Sequence, residues 1–328
     1  MGLSPMDGVT DAPMRYITAK YGKPDVTFTE FVSADGIAYE NRKFGKIEAE
    51  NLGIEASEIG KTISGIKKSL KRDFKFDEIE RPVVAQIFGG DPESFFVAAK
   101  LVLDLGFDGV DINMGCPARK VAGRGEGSGL IKNPELAGEI IAAVKRAVDG
   151  KIPVSVKTRI GYNEPSPEWW KFLATQDLAA VTMHGRTFKQ LYQGKADWEA
   201  IGEAAKIIKS EKTIFFGNGD VENRKMGEEK AIQYGLDGVL IGRAAGGNPW
   251  AFCPHPPAKA GIPREKLLVA VEHSRKFEEL FPNDRFFIMR KHLSWYARGF
   301  DNASDLRNKL VMCNSADEVK REVENFLG

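Results

Sequence analysis

The sequence predicts an α/β protein: a (β/α)8 TIM barrel followed by a small all-helical domain. Three observations carry that expectation. Short apolar or β-branched runs recur along most of the chain, each ending in a polar or glycine-bearing cluster. Well-signalled helices lie between several of these runs, and purely helical spacing takes over after the proline cluster Cys253-Pro254-His255-Pro256-Pro257. With 328 residues, 42% of them hydrophobic, the chain can bury one large core or two ordinary ones.

The runs are Leu3 to Pro5, Val26 to Glu30, Val83 to Ile87, Gly109 to Asn113, Val154 to Thr158, Ala180 to His184, Ile214 to Gly217 and Gly238 to Ile241. Apolar runs suit strands covered on both faces, as in a parallel sheet. Asp91-Pro92 opens a helix closing at Gly106, and Asn133-Pro134 opens one closing at Gly150. Each joins a capping side chain, proline at the first helical position and glycine just past the end. Eight strand-helix units over about 250 residues favour a closed barrel over an open doubly wound sheet. The longest gap lies between the second and third strands and holds an insertion at residues 45–78. Its segment Lys61 to Lys75 carries Lys61, Lys67, Lys68, Lys71, Arg72 and Lys75 against one acid, Asp73. The barrel is expected over residues 1–252, a linker over 253–262 and the helical domain over 263–328. Helical spacing in that last part runs through Glu265 to Phe281, Arg285 to Gly299 and Ala316 to Leu327.

A mean hydropathy of −0.30 with this apolar content excludes intrinsic disorder. No apolar run approaches the roughly 20 residues of a bilayer span, and Met1 to Met6 has neither a basic nor a long apolar stretch. The expectation is a cytoplasmic protein without membrane contact. Cys116, Cys253 and Cys313 are odd in number and far apart, so they make neither a disulfide framework nor a paired zinc-ligand spacing. Forty-seven basic against 46 acidic residues neither demands nor forbids a nucleic-acid partner.

Barrel chemistry collects at the C-terminal ends of the strands, and these ends are unusually polar. The third ends in Gln86, the fourth in Asn113-Met114-Gly115-Cys116-Pro117 and the fifth in Lys157-Thr158-Arg159. The sixth ends in His184-Gly185-Arg186-Thr187, the seventh in Asn218-Gly219-Asp220 and the eighth in Gly242-Arg243. Singly, Cys116 reads as a packed thiol, Lys157 as a snorkelling side chain and His184 as a core histidine. No second histidine lies near His184, so no metal site is expected. Convergence on one mouth reverses the bland readings. The glycine-bearing ends of strands seven and eight occupy the usual phosphate site, with the N–H groups of Gly219, Gly242 and Arg243 as donors. The mouth offers no carboxylate pair for hydrolysis and no convincing Ser-His-Asp set, which points to a cofactor performing the difficult step.

Several motifs together resemble those of the tRNA-dihydrouridine synthases. They are Leu3 through Asp11, Asn113 through Pro117 with Lys120-Val121 and Gly127-Ser128, Val156 through Gly161, and His184 through Thr187. Asn218 through Asp220 and Ile241 through Ala244 complete the set, and the tail segment Arg290 through Tyr296 is similar to the bacterial B-type branch. The resemblance covers nearly the whole chain in order, except residues 45–78. It implies a flavin mononucleotide (FMN) enzyme that reduces the C5=C6 bond of selected tRNA uridines, with NADPH or NADH recharging the flavin. It further implies ring contacts from Gln86, Lys157 and His184, and backbone from Pro5 and Met6. The phosphate end falls to Asn218, Gly219, Asp220, Gly242 and Arg243, and substrate contacts to Asn113 and Arg186. Partners are then tRNA and a nicotinamide cofactor, with a monomeric chain, no metal and no membrane.

The physical chemistry agrees with those roles. Hydride addition leaves negative charge on the uracil and a need for a proton at C5. A thiol of reference pKa about 8.5 is mostly protonated at neutral pH, so Cys116 suits a general acid. Lys157 is placed to stabilise negative charge on a reduced ring. Extruding a stacked uracil costs a few kcal/mol, which contacts from the helical tail and the Lys61 to Lys75 segment can offset. Three other readings stand beside this one: a flavin barrel acting on a free small molecule, in the manner of a dihydroorotate dehydrogenase; a non-catalytic RNA-binding module; and a Lys157 Schiff-base aldolase.

Overall fold

The computed structural model describes residues 1–42 and 72–328. Eight parallel strands close into a barrel in chain order: β1 (Gly2–Leu3), β2 (Val26–Ser33), β3 (Val83–Phe88), β4 (Gly109–Met114), β5 (Val154–Arg159), β6 (Ala180–His184), β7 (Ile214–Asn218) and β8 (Gly238–Ile241). Closure comes from β1 against β8, with Gly2 level with Leu240 and Leu3 with Ile241. The first strand is shorter than the expected Leu3 to Pro5. Ser4 still donates its N–H to the Ile241 carbonyl at 2.8 Å, but Pro5 has no N–H with which to continue the ladder. The second strand runs past Glu30 to Ser33 because a register shift between Phe28 and Phe31 lets it keep pairing with β3.

Capping chemistry fixes the helix starts. Asp11, Asp91 and Asn133 accept the N–H of Met14, Ser94 and Leu136 at 3.1, 3.0 and 3.2 Å. They open α1 (Ala12–Gly22), α2 (Pro92–Asp104) and α3 (Pro134–Val148). At the end of α3 the left-handed turn begins one residue before the expected glycine. Asp149 adopts φ 50° and Gly150 follows at φ 70°. Three more helices, α4 (Pro167–Ala174), α5 (Trp198–Ile208) and α6 (Arg224–Tyr234), complete the outer ring.

After residue 262 the chain is helical: α7 (Pro263–Leu280), α8 (Arg290–Tyr296), α9 (Ala303–Leu310) and α10 (Ala316–Leu327). The helix expected from Arg285 to Gly299 is instead a 3₁₀ turn at Phe286–Met289 running into α8. The tighter turn stacks residues three apart, and so buries Phe286 and Met289 on one side. The tail's apolar core, built on Leu267, Phe277, Leu293 and Val319, also takes in Ala12 and Ile17 of α1 and Trp250. Met14 of the same α1 belongs to the barrel core instead. The first helix is thus shared by both parts.

Lys61, Lys67, Lys68 and Lys71, with most of the 45–78 insertion, lie outside the described residues. The described end of the basic segment faces the tail. Arg72 Nε is 3.1 Å from Asp284 Oδ2, its guanidinium lies over Phe281, and Lys75 Nζ donates to the Leu280 carbonyl at 2.7 Å. Among the described residues no helix is long and apolar enough to cross a membrane.

Candidate active site

The register of the barrel sets the levels of the mouth. Asn113 is level with Lys157, Arg159 with His184, and His184 with Asn218. Because side chains alternate along a strand, Asp111 and Asn113 share one face of β4, and Ser155, Lys157 and Arg159 one face of β5. The opposite face carries the buried Ile112, Val154 and Val156.

Those polar residues form a continuous hydrogen-bond chain. Ser155 Oγ donates to Asp111 Oδ1 and Gln86 Nε2 to Asp111 Oδ2, both at 2.6 Å. Asn113 Nδ2 donates to Gln86 Oε1 at 2.9 Å. Asn113 Oδ1 then accepts the N–H groups of Gly115 at 3.1 Å and Cys116 at 2.8 Å. The orientation of the Gln86 amide is therefore set by Asp111, which the sequence reading passed over. Burial raises the Asp111 carboxyl to about 6, against its bonds from Ser155 and Gln86 and the charge of Lys157. An aspartate in the middle of the apolar run Gly109 to Met114 was the available signal.

Cys116 begins the loop after β4 and is half-buried. Its carbonyl is held by Ser128, from the N–H at 3.2 Å and from Oγ at 2.8 Å. Burial pushes its thiol above the ordinary value, although Arg159 and Lys157 pull the other way. Burial lowers Lys157 to about 8, and the neighbouring Arg159 charge adds to the effect. For His184, burial and then the charges of Lys157, Arg159, Arg186 and Arg243 hold the pKa well below its usual value, so the ring is neutral at pH 7. Arg159 donates to the carbonyls of Gly115 at 2.8 Å and of Thr187 and Leu191 at 2.9 Å. It stitches the loop after β4 to the loop after β6.

The ends of β7 and β8 make a tight corner. Gly219 has φ 132°, and a Cβ there would fall 2.6 Å from that of Ala196. Asp220 follows in the left-handed region at φ 54°. Asn218 Nδ2 donates to the Leu240 carbonyl at 2.9 Å. Beside Gly242 a Cβ would meet only Met6 Sδ at 3.5 Å and Ser4 at 3.7 Å, so the backbone is open on that side. Pro5 and Met6 lead into a turn in which Met6 N–H donates to Thr10 Oγ1 and the Met6 carbonyl accepts from Val9 and Thr10, all at 3.0 Å.

Of the expected site residues, Gln86, Asn113, Lys157, His184 and Asn218 lie in the C-terminal halves of their strands, and Met6, Cys116, Gly219 and Gly242 on the segments that follow β1, β4, β7 and β8. Asp220 and Arg186 meet a different geometry from a ligand contact. Asp220 Oδ2 takes Arg186 Nη2 at 2.6 Å and the Ala196 N–H at 2.9 Å, and Oδ1 takes Arg243 Nη2 at 2.8 Å. Arg186, 3% exposed, also donates to the carbonyls of Gln193 at 3.2 Å and Gly194 at 2.7 Å. Burial alone would raise Asp220, but Arg186, the Ala196 N–H and Arg243 outweigh it and hold the carboxyl below its usual range. The pair ties together the loops after β6, β7 and β8.

The family described as dihydrouridine synthase (Dus) matches residues 2–56 and 59–327. A protein of Bacillus subtilis (strain 168), named probable tRNA-dihydrouridine synthase 2, is 36% identical over 99% of this chain and 93% of its own length. A probable tRNA-dihydrouridine synthase of Staphylococcus aureus (strain COL) is 36% identical over 99% of this chain and 92% of its own. The solved structure of histamine dehydrogenase from Rhizobium sp. 4-9 is similar in fold. Its TM-score is 0.50 at 12% identity, over 76% of this chain and 44% of that one. By a match that spans nearly every residue, this chain belongs to the dihydrouridine synthase family.

Proposed function

We propose that this chain reduces the C5=C6 bond of uridines in tRNA to 5,6-dihydrouridine, with FMN as bound cofactor and NADPH or NADH as reductant. The observation that carries the reading is the pairing of a thiol held protonated, Cys116, with a partly buried cation, Lys157, at one barrel mouth. Family membership supports the reaction class, and the names of the bacterial relatives support tRNA as the substrate.

The residues fit a flavin mononucleotide. The N–H groups of Gly219, Gly242 and Arg243 would hold the phosphate end, where the open side of Gly242 and the φ of Gly219 let backbone approach an anion closely. Asn218 braces that corner through the Leu240 carbonyl, and Asp220 would orient Arg243 there through its 2.8 Å bond. Gln86, Lys157 and His184 would line the ring, with Pro5 and Met6 offering backbone. FMN, when bound and reduced, supplies the hydride for uracil C6.

The chain's own residues do the rest. Cys116 Sγ delivers a proton to uracil C5 and is reprotonated from solvent between turnovers. Its elevated pKa keeps the thiol form present through the neutral range. Lys157 Nζ places a positive charge where negative charge develops, in surroundings dry enough to strengthen the effect. Asn113 Nδ2 has a second N–H beyond the one given to Gln86, and this addresses a uracil carbonyl. Arg186 acts within the wall, keeping the loop after β6 in place. The extruded base is compensated by contacts from the tail and the basic segment to the rest of the tRNA. On this reading the protein works in the cytoplasm as a monomer.

The test is tRNA from a strain lacking the protein, mapped by mass spectrometry. One or more positions should carry uridine in place of dihydrouridine, and wild-type protein, but not Cys116→Ala, should restore them. Purified protein should be yellow and release FMN on denaturation. A colourless protein that fails to bind added FMN, with tRNA unchanged in the deletion strain, defeats the reading.

A further inference from the structure

Three side chains that the proposed reaction does not use converge where the barrel meets the tail. Asp11 caps α1 through Oδ1, while its Oδ2 has no hydrogen-bond partner among the described residues. Facing it are His273 of α7 and His292 of α8, their rings 4.7 Å apart and inclined at 55°. The three residues are 3%, 0% and 1% exposed. His273 Nε2 and both ring nitrogens of His292 also lack a hydrogen-bond partner among the described residues. Buried polar atoms left without a bond are costly, and native folds meet that cost with ordered water, an ion or another ligand. One candidate ligand atom from each residue lies within 4.8 Å of the other two.

We propose that Asp11, His273 and His292 form a buried divalent-cation site, of the class that zinc occupies, which ties the helical tail to the barrel. Two imidazole nitrogens and one carboxylate oxygen are a zinc-type donor set, with the fourth position left for a water-derived ligand. His273 Nδ1 lies 3.2 Å from the Tyr296 hydroxyl. With that nitrogen carrying the proton and donating to Tyr296, Nε2 turns its lone pair to the cluster, as an outer partner does at metal-bound histidines.

The local charge accommodates a cation. Arg72 Nη2 stands 3.6 Å from Asp11 Oδ2, beyond hydrogen-bond reach, and Lys291 is also close. Against these two cations stand Asp11, Asp73 and Glu30, the last raised by burial to about 7, while Arg15, also near Asp73, is paired with Glu80. Tetrahedral ligands about 2.0–2.2 Å from zinc lie about 3.4 Å from one another, so binding draws the three side chains together by about an ångström. The absence of a metal site was expected from the isolation of His184, and positions 11, 273 and 292 follow no spacing motif that would have shown otherwise. Each ligand comes from a different helix end or face, so one ion cross-links the first helix to two helices of the tail.

The test is independent of the proposed reaction. Full-length protein is loaded with Zn²⁺, dialysed against metal-free buffer and analysed for zinc, alongside His273→Gln and His292→Gln. About one Zn²⁺ per chain is expected in the wild type and about a tenth of that or less in each variant, with flavin content unchanged. Co²⁺ in place of Zn²⁺ should give the visible bands of a tetrahedral site in the wild type alone. A chelator should lower the wild-type Tm to that of the variants. Should both variants fail to fold, the wild-type Co²⁺ spectrum and the Tm rise on adding Zn²⁺ decide the matter. The proposal is overturned by a wild type that stays metal-free after loading with no change in Tm. It is equally overturned by the same zinc content and Co²⁺ spectrum in all three proteins, the mark of an adventitious ion only.

Discussion

Replacing Cys116 with alanine separates the two halves of the proposed reaction. The substitution leaves the local scaffold intact, because the bonds that hold this loop are made by the Cys116 backbone. Its N–H donates to Asn113 Oδ1 at 2.8 Å, and its carbonyl accepts from Ser128 Oγ at 2.8 Å. Flavin binding and reduction by the nicotinamide cofactor should therefore stay within about twofold of wild type, an energy difference under about 0.5 kcal/mol. What is lost is the proton at uracil C5. General-acid groups contribute about 100-fold to 10,000-fold, so reoxidation of the reduced flavin by tRNA should slow by about 3–5 kcal/mol of barrier. Burial keeps the thiol protonated, so the upper part of that range is expected near neutral pH. Stopped-flow absorbance of the flavin follows both steps in one preparation. Cys116→Ser, which keeps an O–H donor of much higher pKa, should fall between wild type and alanine. The reasoning is refuted if the alanine variant is reoxidised by tRNA at the wild-type rate, or if it loses its flavin.

Gly219→Ala should lower FMN affinity by at least about tenfold, measured by equilibrium fluorescence, because φ 132° is closed to an L side chain and the new Cβ would sit 2.6 Å from Ala196. Unchanged affinity would remove this corner from the phosphate site. The lowered pKa of Lys157 means that its charge is lost as pH rises past about 8, ahead of the Cys116 thiol, which burial raises above its ordinary value. Turnover on tRNA should accordingly decline from about that point, and a plateau continuing well above it would sink the role given to Lys157. Arg72→Ala should cost about 1–2 kcal/mol in chemical denaturation, since its side chain bridges Asp11 and Asp284 over Phe281. The salt dependence of tRNA binding should stay unchanged, and a slope reduced by about 0.9 would make Arg72 a phosphate contact instead.

The barrel was legible because each strand is a short apolar run closed by glycine or a polar cluster, and because Asp91-Pro92 and Asn133-Pro134 announce helix starts that the structure keeps. Less visible was the polarity of the barrel's inside. Val154 through Arg159 alternates rather than running apolar, and that alternation places Ser155, Lys157 and Arg159 on one face. Weighing the strands as apolar runs hid Asp111 and its grip on Gln86. The polar ends of the fifth, sixth and seventh strands coincide with the strand ends of the structure, whereas the third strand runs two residues past Gln86 to Phe88. Gly219 and Asp220 take positive φ in succession, and the Asp220 carboxylate then serves Arg186 and Arg243. In the tail, spacing located α7 and α10 but not the break at Phe286, whose ring packs edge-on against Phe277 of α7.

The sharing of the first helix between two cores has a consequence for biosynthesis. As the chain leaves the ribosome, β1 has no partner on one side until Leu240 and Ile241 appear. The Ala12 and Ile17 face of α1 has no cover until Leu267, Phe277 and Leu293 have emerged. At usual elongation rates that is a wait of about 10–50 s, during which an apolar surface at the amino terminus stays open. The earliest residues made are therefore among the last to be buried, and completion of the chain, rather than completion of the barrel, marks the point at which the fold can close.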